Sequence, residues 1–550
     1  MKMRLSFIVL LFNLLISYNG FSQSNESDST AKDFKVKLTF SNEYENDKKN
    51  TIVRYIMKDE KGNILAIKLG IGGFFSKSKN FVEKYTPSLK QVFDEELVTK
   101  QTDGNDLGIV NAFTFNGKPY IFGDYYNSTK DKRYLFALKV QDNGSLGKPM
   151  KIAEFESEKD AGAFVLKLSK DSSKLMIVSQ MPVDKKNSEI PVMFSVLDTE
   201  FKEIWKGKAA YPTEKKWGLF SGTTYTTVLD NFSVDNKGRV FTLVQLPRDK
   251  DNKDKDDSYN FYKLFIYENG TTTSKKFTID LDKKTIYSFQ LLQTSNADEM
   301  IGVGTYSENK KLGWFSENVG TNGSFFFKIN AQTGTITSKS INPFNKKVFE
   351  FMRIDSKDQA KGEGINNVKL WDSWVTENNN ILLSLEQKYL VVSTYTSGNR
   401  TYTTRTYYSK MMFNVKYDAN GKIIYQNFIP KSLSASETTF GMYHLLAPRG
   451  ERHALIFNDH YKNTEKKLED YKDMSTARPG SDRTVARLVT VDEAGKRKVS
   501  TLFSNKDEDY VLQPDVSLKY APGVIITMGE MGSSFLSGKS KKFKLIKIEY

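Results

Sequence analysis

The chain of 550 residues has no cysteine, three histidines and only 13 prolines. Without cysteine there is no disulfide, no thiol nucleophile, no thiolate metal site and no lipid-modified N-terminal Cys. The histidines are His444, His453 and His460. They stand in no HExxH arrangement, and no Gly-x-Ser-x-Gly elbow occurs. His453 lies in an apolar run beside Arg452 and reads as a packing residue. His460 follows Asp459 at a strand end, where a site could form. No cofactor and no metal are expected. Acid/base pairs cannot be picked from 66 Asp and Glu residues without geometry. No Pro-, Ser- or Gly-rich linker divides the chain.

Long apolar runs are also missing, apart from 5–16 near the N-terminus. That run is too short to span a bilayer. Lys2 and Arg4 precede it, and Gly20 and Ser22 stand at −3 and −1 of a cut before Gln23. This is the pattern of a secretory signal peptide. The expected organisation is a signal peptide over 1–22, a disordered segment over 23–33 and one domain over 34–550. The expected location is outside the cytoplasm: periplasm, cell surface or medium.

Negative charge is in deficit, with a formal net charge of +15. A basic balance favours acidic partners. Export disfavours nucleic acid, which leaves an envelope protein with an acidic surface, an anionic glycan or lipid headgroups. The plain alternative is a solvated Lys-rich surface, since the charge is spread along the chain.

What is abundant is a repeat. Eight apolar runs follow turns of Asp, Asn or Gly type, at 62–70, 117–123, 173–180, 238–246, 298–306, 379–387, 450–459 and 523–530. Most are preceded by an alternating segment, so each reads as strand, tight turn, strand. A second series of hairpins interleaves, with turns near Asn143, Thr199, Asn269, Thr333, Asn420 and Ala494 and a degenerate copy near Phe81. Two alternating hairpins make a four-stranded unit, and its recurrence predicts an all-β fold, a β-propeller of four-stranded antiparallel blades. Eight blades are expected, or seven if the first unit is not a blade. The last copy, "FKLIKIEY", lacks a partner strand. The free segment 34–40, "FKVKLTF", is placed to complete it and close the ring. An outer-membrane β-barrel is the rival fold. It would alternate apolar and polar along every strand, whereas "VFTLV" and "ALIF" are continuous and fit strands buried on both faces.

Two turns carry a family resemblance. "LSKDSSKLMIV" (168–178) is similar to the Ser-Pro-Asp-Gly strand motif of TolB-like propellers, with Lys170 for the proline and Ser172 for the glycine. "VDNKGRVFTLV" (234–244) resembles the Asp-x-x-Gly turn of several propeller families. Trp371-Asp372 is a WD dipeptide without the rest of a WD40 pattern. The signal ending "FSQ" and the Lys, Asn, Tyr and Phe richness are similar in style to exported proteins of Bacteroidota. The resemblance implies architecture only.

Three stretches invite a ligand. "GSSFLSGKS" looks like a phosphate-binding loop, but Gly532 and Gly538 enclose five residues, and a strand rather than a helix follows. "RDKDNKDKDDSYN" (248–260) fails as a calcium loop, because Asp257 and Lys263 stand where Gly and Glu are needed. The third is the loop between the second and third strands of the sixth unit. Loops of this kind grow long on one face, at 247–260, 307–323, 388–410, 460–484 and 531–541, and mark the interaction face. Loop 388–410 is expected to project as a β-hairpin and to bind through Tyr389, Tyr395, Arg400, Tyr402, Arg405, Tyr407 and Tyr408. Tyr faces and Arg forks suit sugars or acidic peptides. Loop 460–484 is expected to hold a short charged helix and to add Arg478 and Arg483, close to Arg487. The functional expectation is a non-enzymatic binding or scaffold propeller of the cell envelope. The alternative is a glycan-active hydrolase or lyase with carboxylates at the mouth of the central channel.

Overall fold

The computed structural model describes residues 36–46, 51–70, 79–100, 106–156, 164–181, 189–212, 231–246, 261–308, 320–397, 400–436, 441–467, 470–531 and 541–550, without 272, 283, 353, 355, 356, 358, 360 and 361. The expected signal peptide, the segment 23–33, the calcium-like loop 248–260 and the phosphate-loop mimic at 532–540 lie outside these residues.

Eight antiparallel sheets with a four-strand path are present among the described residues. In seven of them the strands follow chain order, over 51–97, 108–156, 164–212, 232–279, 285–343, 368–429 and 444–504. We number these blades one to seven. Blade eight is composite: Tyr510–Ala521, Val524–Met531 and Lys541–Glu549 are joined by Lys37–Phe40 from the other end of the chain. Lys37 pairs with Glu549 and Phe40 with Ile546. The fold is therefore a propeller closed by its N-terminal strand. The strands make separate sheets rather than one continuous closed sheet, so the barrel alternative is set aside.

The core lies between the blades. Each of the eight apolar runs forms the second strand of a blade, from Ile64–Gly70 in blade one to Val524–Met531 in blade eight. These strands are buried on both faces; in Leu175–Gln180 every residue is buried. Their side chains make eight clusters, one for each adjacent pair of blades, including the pair that joins blade eight to blade one. Phe241 and Leu264 of blade four meet Phe325 and Phe327 of blade five in this way. Each such side chain contributes about 1.5–3 kcal/mol on burial, so stability is distributed around a ring that no single blade can complete.

The turns repeat a local device. Asp59, Asp198, Asp235, Asp418 and Asp492 each accept, through Oδ1, the backbone N–H groups two and four residues on. The residue three on must take positive φ. It is glycine in four of the five, as at Gly238 with φ 81°, and Phe201 in the other. A short Asp side chain can close such a turn from within, where a longer one cannot. This is the physical content of the Asp-x-x-Gly resemblance.

Among the described residues of 460–484 the expected charged helix is not formed. Two 3₁₀ turns, Tyr461–Asn463 and Tyr471–Asp473, stand there instead. Asn463 is buried and pins the insertion: its amide donates to Asp459 and to the Ser475 carbonyl, and its oxygen accepts from Ser475 N–H. A continuous helix would break these bonds.

Candidate binding face

The sixth blade departs from the others. Its middle strands, Ile381–Ser397 and Arg400–Tyr417, run far beyond the blade as a projecting hairpin. The run of Thr, Tyr and Val, with no Pro and no acid, favours this extended ribbon. The register pairs Tyr389 with Tyr408, Val392 with Arg405 and Tyr395 with Tyr402. Side chains alternate between faces, so one face carries Tyr389, Tyr408, Tyr395 and Tyr402, and the other Leu390, Tyr407, Val392 and Arg405. Tyr389 stacks on Tyr408 with ring centres 4.9 Å apart, and Tyr395 on Tyr402 at 5.3 Å. Leu390, Val391, Val392, Tyr395 and Tyr402 are all exposed, Val392 and Tyr395 by 54%. Arg400 is opposite Ser397 in register, but its side chain lies outside the described residues.

The expected residues do not all share one role. Tyr407 turns inward onto Leu433, Ala435, Met442 and Ala477 and anchors the hairpin. The strand Leu433–Ser436 pairs with 406–409 and covers that edge. The insertion after blade seven's second strand buttresses it in turn, since Ser434 N–H donates to the Ala477 carbonyl and Lys410 donates to Ser432 and Thr476. Arg478 and Arg483 are exposed on that insertion. Arg487 does not join them. It is buried, beside Asp459 at 3.6 Å, and it donates to the His460 carbonyl. His460 itself caps a 3₁₀ turn by accepting from Lys462 N–H.

The foot of the hairpin touches the first strand of blade six, where Lys388 lies over Trp371. The first strands of five blades slip by a β-bulge against their second strands, at Arg54, Val110, Tyr287, Trp371 and 514–516. Bulges re-aim side chains, and here they turn Arg54, Trp371 and Asp515 to solvent at the centre of the molecule. Lys519 of blade eight reaches Asp372 of blade six at 3.6 Å, across the front of blade seven. Asp515 is solvent-accessible, with the protein packed closely around it. That confinement raises its carboxyl above the usual range, against the opposing charges of Arg54 and Lys388. The signals for these residues were present: Pro514 inside a strand marks a bulge, and "WDSW" places two tryptophans in a first strand.

Beneath Lys388 lies a buried polar cluster. Glu386 Oε2 is 2.9 Å from Lys388 Nζ and 2.9 Å from His444 Nδ1, while Oε1 is 2.6 Å from Lys431 Nζ and accepts from Ser409. Burial alone would push the Glu386 carboxyl up, but Lys431, His444 and Lys388 together hold it well below the usual carboxylate range. Burial keeps His444 below its ordinary value and so neutral. Burial also draws Lys431 down to about 8, so it remains protonated at pH 7. Ser384 Oγ lies 2.7 Å from His444 Nε2. Ser384, His444 and Glu386 thus have the hydrogen-bond order of a hydrolase triad. All three are buried, and the carboxylate is committed to two lysines.

No family model matches the chain, and no curated protein matches it. Several solved structures are similar in fold. The WD40 domain of SCAP from fission yeast is 10% identical, with 94% of this chain and 98% of that one covered at a TM-score of 0.39. The β-propeller domain of the Trilobed protease from Pyrococcus furiosus is 10% identical over 83% of this chain and 96% of that one, at 0.35. A polysaccharide lyase, the PL25 ulvan lyase, is 8% identical over 82% and 94%, at 0.35. The likeness is one of architecture, and no functional residue is carried across.

Proposed function

We propose that the chain is a non-enzymatic binding propeller that holds an acidic partner on the projecting hairpin of blade six. One observation supports this above the others. Beyond Lys388, which is paired with Glu386, residues 389–410 contain Arg400, Arg405 and Lys410 and no Asp or Glu, on a ribbon that exposes five large apolar side chains. Exposed apolar side chains gathered in one place mark a partner site, and the one-sided charge sets the sign of the partner. The signal-like N-terminus supports an envelope setting for this role.

The test compares the full chain with a variant whose residues 391–406 are replaced by a short Gly-Ser turn. Retention on immobilised poly-glutamate should fall in the variant and fall with salt in the parent. Equal retention would move binding off the hairpin. N-terminal sequencing of the exported protein, expected to begin at Gln23, tests the location. A glycan-active enzyme is the second reading, and the accessible Asp515, with its raised carboxyl, favours it. Turnover of anionic polysaccharides that is lost in Asp515→Asn would establish it.

A further inference from the structure

A propeller ordinarily guards its sheet edges. Seven of the eight outer strands described carry at least one charged side chain, as in Gln91–Leu97 or Arg497–Ser504. Charges on an edge strand discourage pairing with another chain. The hairpin breaks this rule on one side only. The first strand of blade six, Val368–Val375, pairs with its neighbour as far as Gln387, and Lys388 N–H still donates to the Asn367 carbonyl. Beyond that, 389–397 has no strand on its outer side among the described residues. Its sequence, "YLVVSTYTS", has no charge, no proline and no glycine, and strong strand propensity throughout. The opposite edge is covered by Leu433–Ser436 over 406–409 and carries Arg400 and Arg405.

We propose that 389–397 accepts an extended acidic polypeptide as an added β-strand. This rests on the reading of the hairpin as the binding element and names the partner's form. The backbone supplies the first argument. The outer edge of a strand is a row of N–H and C=O groups, and another strand matches that row, whereas a sugar chain does not. Charge supplies the second. A second copy of this chain would bring a hairpin of the same sign and no acid against the first. An acidic strand meets the opposite case. Arg405 lies across from Val392, so a side chain on the added strand is two strand spacings away, about 10 Å. That is the Debye length at about 0.1 M salt and slightly more than the roughly 8 Å at physiological salt, so the attraction is partly screened and should grow as salt is lowered. The exposed Leu390 and Val392 offer apolar neighbours on the same face.

The experiment uses the full chain and a soluble decapeptide of alternating Glu and Thr. Three further probes are the same peptide N-methylated at alternate residues, a Lys-Thr analogue and polygalacturonate. Affinity is read by fluorescence anisotropy. The Glu-Thr peptide should bind at least about tenfold more tightly than either modified peptide. Thr394→Glu, a change on the exposed ribbon, should weaken it by about as much. If the N-methylated peptide binds equally, attraction is electrostatic only and strand addition is wrong. If polygalacturonate outcompetes the peptide, the partner is a glycan and strand addition is again wrong. If the variant lacking 391–406 still binds the peptide, the hairpin reading itself fails. If that variant loses binding while N-methylation is without effect, only the present inference fails.

Discussion

The Lys388 ammonium lies 3.7 Å from the centre of the Trp371 ring. The Tyr443 ring, 5.2 Å from Trp371, stands beside it with its centre 4.1 Å from the ammonium, and Glu386 is 2.9 Å away. Lys388 is thus the pin that fixes the foot of the hairpin to the inner strand of blade six. Lys388→Met keeps the stem and removes the charge. It should cost about 1–3 kcal/mol, because a desolvated cation–π contact is worth about 2 kcal/mol and a buried carboxylate loses one partner. Urea unfolding measures this, and Trp emission should shift as Trp371 loosens. An unchanged midpoint and spectrum would mean that the hairpin is anchored elsewhere.

The triad-like order of Ser384, His444 and Glu386 leads to a second expectation. A serine without access cannot be acylated, so a fluorophosphonate should leave Ser384 unlabelled in the native protein. Labelling there would make the chain a hydrolase and reverse the proposal. The carboxylate matters for stability instead. Glu386→Gln leaves the Lys431 cation buried without its counter-charge and should cost about 3–5 kcal/mol in urea unfolding. Because the folded carboxyl is held well below its unfolded value, this stability is present above the ordinary carboxylate range and is lost as pH falls through the folded value. The wild type should therefore approach the variant only in strong acid.

Much of the ring was legible beforehand, and the reason is physical. Second strands are buried on both faces, so they leave unbroken apolar runs such as 173–180, and their turns need Asp and Gly at fixed offsets. Closure by 34–40 was readable because a lone strand at one end matched a missing strand at the other. The hairpin was readable because Thr and Tyr alternate through it. Of the axial residues, only those beside Pro514 and in the WDSW run left a signal; a bulge otherwise adds one residue to a strand without changing composition, and Arg54 looks like any surface arginine. Nor could the sequence separate Arg487 from Arg478 and Arg483, because its partner Asp459 lies on the neighbouring strand, 28 residues earlier in the chain. The helix expected in 460–484 failed because a single buried Asn463 outweighs the propensity of exposed charges.

His453 supplies a pH test. The Asn414 amide lies 2.7 Å from its Nε2, and the Tyr425 hydroxyl 3.4 Å from Nδ1. Burial, helped by the Lys416 charge, pulls the imidazole down to about 3. The neutral form is the folded form, so the unfolded chain takes up the proton first. Stability should be full above about pH 6.5, the ordinary histidine value, and decline as pH falls from there toward about 3. In His453→Gln that decline should be missing from the upper part of the window, above the carboxylate range. Urea midpoints at pH 7, 6 and 5 for both proteins decide it, and parallel curves would show that His453 does not titrate on unfolding.

The closure of the ring gives the last expectation. Lys37–Phe40 and Tyr44–Asn46 both pair with the final strand, Lys541–Glu549. Ser41 exchanges two backbone bonds' worth of contact with Leu545, its N–H donating to the Leu545 carbonyl and its hydroxyl accepting from Leu545 N–H. Glu43 accepts from Tyr510 and pairs with Lys542 at 2.6 Å. A chain beginning at residue 47 loses all of these and bares the edge of the last strand, a template for pairing with another molecule. It should unfold at lower urea and form higher oligomers in light scattering. A synthetic peptide of residues 36–46, added in excess, should restore the monomer, because an added strand stabilises by mass action whatever chain supplies it. A truncated protein that stays monomeric with its midpoint unchanged would show that the eight blade interfaces hold the ring without the N-terminal strand.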